Sequence, residues 1–288
     1  MMNEIPLLFG PERNLFGTFA LPKQGTSKQV AILLFNAGVI HHIGPHRINV
    51  KIARRLFDLG YSSLRFDLSG QGDSRPATSG GDFQTQSRRD IQAAMDHVER
   101  TTGIKQFVLA GICSGAHHSV STAREDSRVV GLWLMDGYMY PTAKTYILKA
   151  AQRLKGKSFG RIVSWIAKKV VANAGDGVRR LRASKSSDEV EFDYGNTSPS
   201  RKAYAETLQK IVARGVNVHL AFSGSVLDYY NYSNQYKDMF SGYEFVNKIT
   251  CEFSPHIDHT ITLIRAQEEV LRKICEFVGM VDRNRNLA

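Results

Sequence analysis

The chain has 288 residues, 42% of them hydrophobic and 23% charged, with a formal net charge of +11. That balance is ordinary for a globular protein large enough to bury a core without covalent staples. Three cysteines, Cys113, Cys251 and Cys275, are too few and odd in number for a disulfide framework, so a reducing, cytoplasmic setting is expected. Residues 1–14 carry Glu4, Pro6, Pro11 and Glu12 where a signal peptide needs an unbroken apolar run, and no segment reaches bilayer-spanning length.

Apolar runs alternate with helical patterns along the first half of the chain, which predicts a mostly parallel α/β sheet. Residues 5–9 and 15–21 read as opening strands parted by Gly10-Pro11, and residues 29–35 as a strand covered on both faces. Helical spacing of Ile48, Ile52 and Leu56 predicts a helix over 46–59, stopped by Gly60. A strand at 61–68, a helix at 86–101, a strand at 106–112, a helix at 114–124 and a strand at 129–135 follow. The alternation then breaks for roughly sixty residues, too long for a simple connection. It resumes with a helix at 201–214, strands at 216–223 and 245–253, and a helix at 261–278. The predicted division is a core of 1–137 and 201–288 with an inserted cap of 138–200.

Charge is concentrated in that insert. Residues 138–187 hold twelve lysines and arginines against one acidic residue, Asp176, so this window carries the whole formal excess. An acidic partner, substrate or surface is implied, or else a solvated basic face. The insert also holds Phe159, Ile162, Trp165 and Ile166, an apolar set suited to walling an acyl chain.

The strand ending at Ile112 runs into Gly111-Ile112-Cys113-Ser114-Gly115, the G-x-nucleophile-x-G pattern of a sharp strand-to-helix turn. Glycines two residues either side relieve crowding around a strained nucleophile. Ser114 is the rival, but its corresponding flanks are Ile112 and Ala116, so sterics favour Cys113. A thiol at a helix N-terminus, near a histidine, is biased towards thiolate.

Such a nucleophile needs an acid and a histidine later in the chain. His259, just before the last helix, is the predicted base, with His256 the alternative. Asp228, shortly after the strand at 216–223, is the predicted acid, with Asp136 the alternative. The oxyanion hole is expected from the backbone N–H groups of Ser114 and of Val39, in the loop after the third strand. His41 and His42 in that loop are candidates to bind substrate. With no spaced carboxylate or cysteine partners they make a poor metal site, and no cofactor is indicated. His117 and His118 are expected on a helix surface or in packing.

With these residues assembled, the chain resembles the α/β-hydrolase superfamily over nearly its whole length. The stretch Arg65-Phe66-Asp67-Leu68-Ser69-Gly70-Gln71-Gly72-Asp73-Ser74 is similar to that superfamily's D-x-x-G-x-G-x-S turn. Together with Asn36-Ala37-Gly38 and Ile43-Gly44-Pro45-His46-Arg47, it resembles more narrowly the hydrolases associated with exosortase and exopolysaccharide gene clusters. The resemblance implies fold and catalytic layout rather than substrate. Cysteine in place of serine, as in dienelactone hydrolases and polyhydroxyalkanoate synthases, points to an ester or thioester substrate and a covalent acyl intermediate. The enzyme would be a thioesterase or acyltransferase, its substrate carried on an acyl-carrier protein or coenzyme A. The alternative is an esterase or deacylase that uses the basic cap on an anionic membrane or polysaccharide. A non-catalytic binding protein ranks behind both, and no nucleic-acid motif is present.

Overall fold

A computed structural model of the chain describes residues 4–22, 28–78, 81–154 and 198–286. Eight strands form one sheet in the order β1-β2-β4-β3-β5-β6-β7-β8. They are β1 (Glu4–Phe9), β2 (Leu15–Ala20), β3 (Val30–Leu34), β4 (Ser63–Phe66), β5 (Gln106–Ile112), β6 (Val129–Met135), β7 (Asn217–Ser223) and β8 (Thr250–Ser254). β1 and β2 pair antiparallel, β2 meets β4 antiparallel, and every pairing from β4 to β8 is parallel. The predicted mostly parallel α/β sheet is therefore present.

Burial follows the sequence pattern. β3 and β6 are buried at every position, because helices cover both faces and leave no reason for alternation. One face packs against α2 (Phe83–Thr102), α3 (Ser114–Glu125) and α5 (Arg201–Ala213), with Met95, Val120 and Leu208 in its core. The other packs against α1 (Ile48–Asp58) and, beyond the short α6 (Gln235–Met239) in the chain, against α7 (Ile264–Asn286), with Ile52, Leu56 and Ile274 in its core. Local signals set the helix ends. Asp82 caps α2 by accepting the Thr85 N–H at 2.9 Å, and Gly103 closes it at φ 77°.

Helix boundaries differ from expectation in α1, α2 and α7, with α2 starting at Phe83 rather than residue 86. α1 starts at Ile48 rather than residue 46, because Pro45–Arg47 is a 3₁₀ turn in which His46 and Arg47 hold φ of 48° and 62°. α7 starts at Ile264 and runs on to Asn286. Ile261 sits at φ 54°, outside helical space, and at the far end Val281 and Asp282 are still buried. Asp282 accepts the Gln29 N–H at 2.9 Å and the Tyr61 hydroxyl at 3.3 Å, and ion-pairs with Lys28 at 3.5 Å.

The segment expected to form a cap, residues 138–200, is described only in part. α4 (Ala143–Leu154) opens it, while residues 155–197, with Phe159, Ile162, Trp165, Ile166 and most of the basic cluster, lie outside the described residues. Among the described residues no helix is long and apolar enough to cross a membrane.

In a parallel sheet the strand ends that carry loops into a site lie along one edge, and a crevice opens where successive connections leave in opposite directions. Here β3 lies between β4 and β5, so the loops after β3 and β5 meet at such a point. Their approach is close: a Cβ on Gly115 would lie 2.8 Å from the Asn36 carbonyl oxygen, and one on Gly111 2.3 Å from the Gly115 carbonyl oxygen. Backbone cannot yield as a side-chain tip does. Gly111→Ala is expected to destabilise the protein by about 1–3 kcal/mol or more, read as a lowered midpoint of urea unfolding.

Candidate active site

β5 delivers Cys113 to the sheet edge, and α3 begins at the next residue. Cys113 holds φ 57° and ψ −124°, a conformation that L-residues rarely adopt. Its N–H donates to the Met135 carbonyl at 2.9 Å, and its own carbonyl accepts the Ala116 N–H at 3.0 Å. The backbone is thus pinned to β6 on one side and to α3 on the other. The neighbouring Ser114 points elsewhere, its Oγ accepting the Gly38 N–H at 2.8 Å.

His259 arrives on the loop after β8, close enough to the Cys113 thiol for each to shift the ionisation of the other. Its Nδ1 lies 2.7 Å from Asp136 Oδ2, which leaves Nε2 to face the sulfur. Asp136 directly follows β6 at φ 50°, its N–H donating to the Ala221 carbonyl at 2.9 Å. Its fully buried carboxylate also accepts the Ser223 N–H and the Ser223 hydroxyl, both at 2.7 Å. The histidine loop is held in turn by Ser225, whose Oγ accepts the His259 N–H at 2.8 Å.

The acid beside His259 is therefore Asp136, not the predicted Asp228. After β7 the chain enters a 3₁₀ turn, Gly224–Val226, pressed against the loop that carries His259. The Gly224 N–H donates to the Ile257 carbonyl at 2.7 Å, and a Cβ on Gly224 would fall 2.1 Å from the Pro255 carbonyl oxygen. That turn throws Asp228 outwards, where its 70% exposed side chain pairs with Lys149 of α4 at 2.5 Å. His256, the alternative base, is bonded to Glu269 at 2.8 Å instead.

Ionisation is biased in one direction. The hydrogen bond from His259 lowers the Cys113 thiol below an ordinary cysteine; burial opposes this, and the Ser114 N–H adds to it. His259 is raised, first by its bond to Asp136 and then by its bond to Cys113. Both shifts favour a thiolate–imidazolium pair.

The loop after β3 is a tight turn, Ala37 to Ile40, closed by a 3.1 Å bond from the Ile40 N–H to the Ala37 carbonyl. Its Gly38 N–H donates to Ser114 Oγ at the elbow, and Val39, the expected oxyanion donor, is 66% exposed. The Ser114 N–H adds to the lowering of the Cys113 thiol. His41 and His42 require correction. His42 is buried, with Nδ1 2.6 Å from Asp67 Oδ2, so it does not line an entrance, while His41 reaches Asp73 at 2.9 Å. The carboxylate partners that the sequence spacing hides are thus supplied by the turn after β4.

Asp67, the first residue of the D-x-x-G-x-G-x-S turn, organises this loop. It accepts the Asn36 amide at 2.6 Å, the His42 N–H at 2.7 Å and the Asp73 N–H at 3.1 Å. Burial works against its charge, yet the bonds from His42, the Asp73 N–H and Asn36 hold it below the usual carboxylate range. His117 stacks on Tyr138 with 3.8 Å between ring centres, and His118 packs edge-on to Phe83; burial lowers both to about 4, so both are neutral packing residues. A cavity of about 560 Å³ lies beside α2, α3 and α5, lined by residues such as Arg88, Arg124 and Tyr204; Cys113 does not line it.

The sheet order, the strained turn after β5 and the histidine loop after β8 define an α/β-hydrolase. Residues 27–219, about two thirds of the chain, match the model of the serine aminopeptidase S33 family, and the chain belongs to that family. Solved structures with the same fold include a proline iminopeptidase of Mycobacterium smegmatis (TM-score 0.58, 14% identity, 98% of this chain and 100% of that one). An esterase of Pyrococcus furiosus aligns with TM-score 0.57 at 13% identity, covering 97% and 90%. An α/β serine hydrolase without lid from Xanthomonas campestris gives 0.54 at 14%, covering 97% and 94%. At such identities the likeness is one of fold. A search of the curated proteins found no match.

Two outcomes are expected. With an activated ester or thioester, Asp136→Asn should lower turnover by at least about 10²-fold, as loss of a histidine-orienting acid does, while Asp228→Asn should stay near wild type. In alkylation of Cys113 by iodoacetamide, the pH midpoint should lie below that of a free thiol. It should rise back in His259→Asn, since removing the cation removes the main cause of the lowered pKa; equal midpoints would exclude the ion pair.

Proposed function

We propose that the protein is a cysteine-dependent acyl-transfer hydrolase acting on an ester or thioester through a Cys113-acyl intermediate. The observation that carries this reading is the strained Cys113 at the end of β5 beside His259, whose Nδ1 is held 2.7 Å from the buried Asp136. In the first step the thiolate sulfur bonds to the substrate carbonyl carbon, and the carbonyl π pair moves onto oxygen. The Ser114 N–H faces that oxygen, joined by the Gly38 N–H as Ser114 Oγ releases it. The pair returns, the bond to the leaving oxygen or sulfur breaks, and His259 supplies the leaving atom with its proton. In the second step His259 takes a proton from water or from an acceptor thiol or alcohol. The resulting nucleophile attacks the acyl carbon, and Cys113 leaves as thiolate.

A thioester donor suits a thiol nucleophile, because thioester exchange is close to isoenergetic. Exposed apolar side chains suit an acyl group: Val39 and Ile40 after β3, Tyr146 and Ile147 on α4, Leu227 after β7 and Ile264 at the start of α7. Lys144, Lys149 and Arg153 on α4 begin the basic cap, which fits the phosphates of coenzyme A or an acidic carrier protein. The narrower resemblance to exosortase-associated hydrolases accords with this reading and adds no substrate.

The test is incubation with acyl-coenzyme A thioesters of graded chain length, followed by mass analysis of the Cys113 peptide. An acyl mass on that peptide, absent in Cys113→Ala together with turnover, is expected. Turnover that persists in Cys113→Ala, or neither adduct nor turnover at any length, overturns the proposal.

A further inference from the structure

The loops after β3 and β4 bring four potential ligand atoms together beside the elbow. His41 Nε2, His42 Nδ1 and one carboxylate oxygen from each of Asp67 and Asp73 all lie within 4.8 Å of one another. His41 Nε2 is 2.9 Å from Asp73 Oδ2 and 3.3 Å from Asp67 Oδ2, and His42 Nδ1 is 2.6 Å from the same Asp67 oxygen. Ligands around a tetrahedral ion at about 2.0–2.1 Å stand roughly 3.3 Å apart. A tetrahedral shell therefore requires the His42–Asp67 pair to open from 2.6 Å while His41 and Asp73 turn to meet the ion.

We propose that these four residues bind one divalent transition cation of the zinc type. Charge is the first reason: two carboxylates and two neutral imidazoles leave −2, which one such cation neutralises. Donor type is the second. Imidazole nitrogen with carboxylate oxygen selects zinc, cobalt or nickel over magnesium and calcium, which favour shells of oxygen alone. Preorganisation is the third, since the Asn36 amide and the His42 N–H hold Asp67 through Oδ1, while Oδ2, which also accepts the Asp73 N–H, faces the imidazoles. The turn is also kept clear at Gly72 (φ 48°), where a Cβ would strike the Asp67 carboxylate at 2.3 Å.

Asp67 and His42 make a buried floor, while His41 (33% exposed side chain) and Asp73 (57%) leave a way in from solvent. The cation takes the place of the two N–H protons that otherwise bridge the imidazoles to the carboxylates. Those protons move to His42 Nε2 and His41 Nδ1. The second shift opens one long contact, the 3.3 Å bond from the Ile43 N–H to His41 Nδ1. A bound ion clips the Gly38 loop to the turn after β4, so its effect on the site is to fix the loop that faces Cys113.

The test uses the full chain, stripped with a chelator and titrated with Co²⁺ and Zn²⁺. Cobalt absorption and competition against a chromogenic chelator give stoichiometry and affinity. Cys113→Ser serves as a control, because the thiol and His259 are also ligand types. Expected are one equivalent bound, retention in Cys113→Ser, no competition by Mg²⁺, and affinity weakened at least about tenfold in both Asp73→Asn and His41→Gln. Both variants alter exposed side chains, and their metal-free thermal midpoints confirm folding. Absence of one-equivalent binding, its loss in Cys113→Ser, or unchanged affinity in both loop variants overturns the proposal.

Discussion

A single buried carboxylate ties the site together. Asp136 has no exposed side-chain surface, and it accepts bonds from the Ser223 N–H, the Ser223 hydroxyl and His259 Nδ1. An anion so placed is tolerable only while its donors stay in position, since each lost partner leaves charge uncompensated in a region water does not reach. The ends of β6 and β7 and the histidine loop are therefore locked to one another by the same group that orients the imidazole. Structure and proposed chemistry make the same demand on Asp136.

The elements legible in the sequence were those specified by local chemistry. The limits of β5 and β6 were readable to the residue, because continuous apolar runs meet a glycine-bracketed turn in one case and a polar loop in the other. Cys113 was readable for the same reason: the two close approaches that require Gly111 and Gly115 are imprinted as glycines at fixed spacing. The acid was not. Asp136 and Asp228 both follow strands whose ends face the site, and what separates them is a contact between Gly224 and Pro255 that no spacing reveals. The loop histidines failed likewise, since their carboxylate partners lie about thirty residues away and converge only in the fold. Helix ends slipped where tertiary burial or positive φ overrode periodicity, as at Asp282 and Ile261.

Family membership and local chemistry constrain different things. The matched family is described by a serine enzyme, and its fold accounts for the elbow, the sheet order and the position of the histidine. What is particular to this chain is sulfur at the strained position. A thiol needs less help to ionise than a hydroxyl, so the same imidazole that must take a proton from serine can here sit beside an anion already formed. The proposed first step thereby shifts from general-base catalysis towards attack by a preformed nucleophile.

The bonds from Asp282 to Gln29 and Tyr61 join the last helix to the strand and turn near the start of the chain, across 253 and 221 positions. A polypeptide emerging from the ribosome exposes the fully apolar β3 long before the helix that covers it exists. The half-made chain therefore presents an unprotected central strand for most of its synthesis. Contacts of such sequence separation also place the fold among slowly assembling topologies. Cys113, Asp136 and His259 follow three different strands, so they meet only once β5, β6 and β8 stand in one sheet.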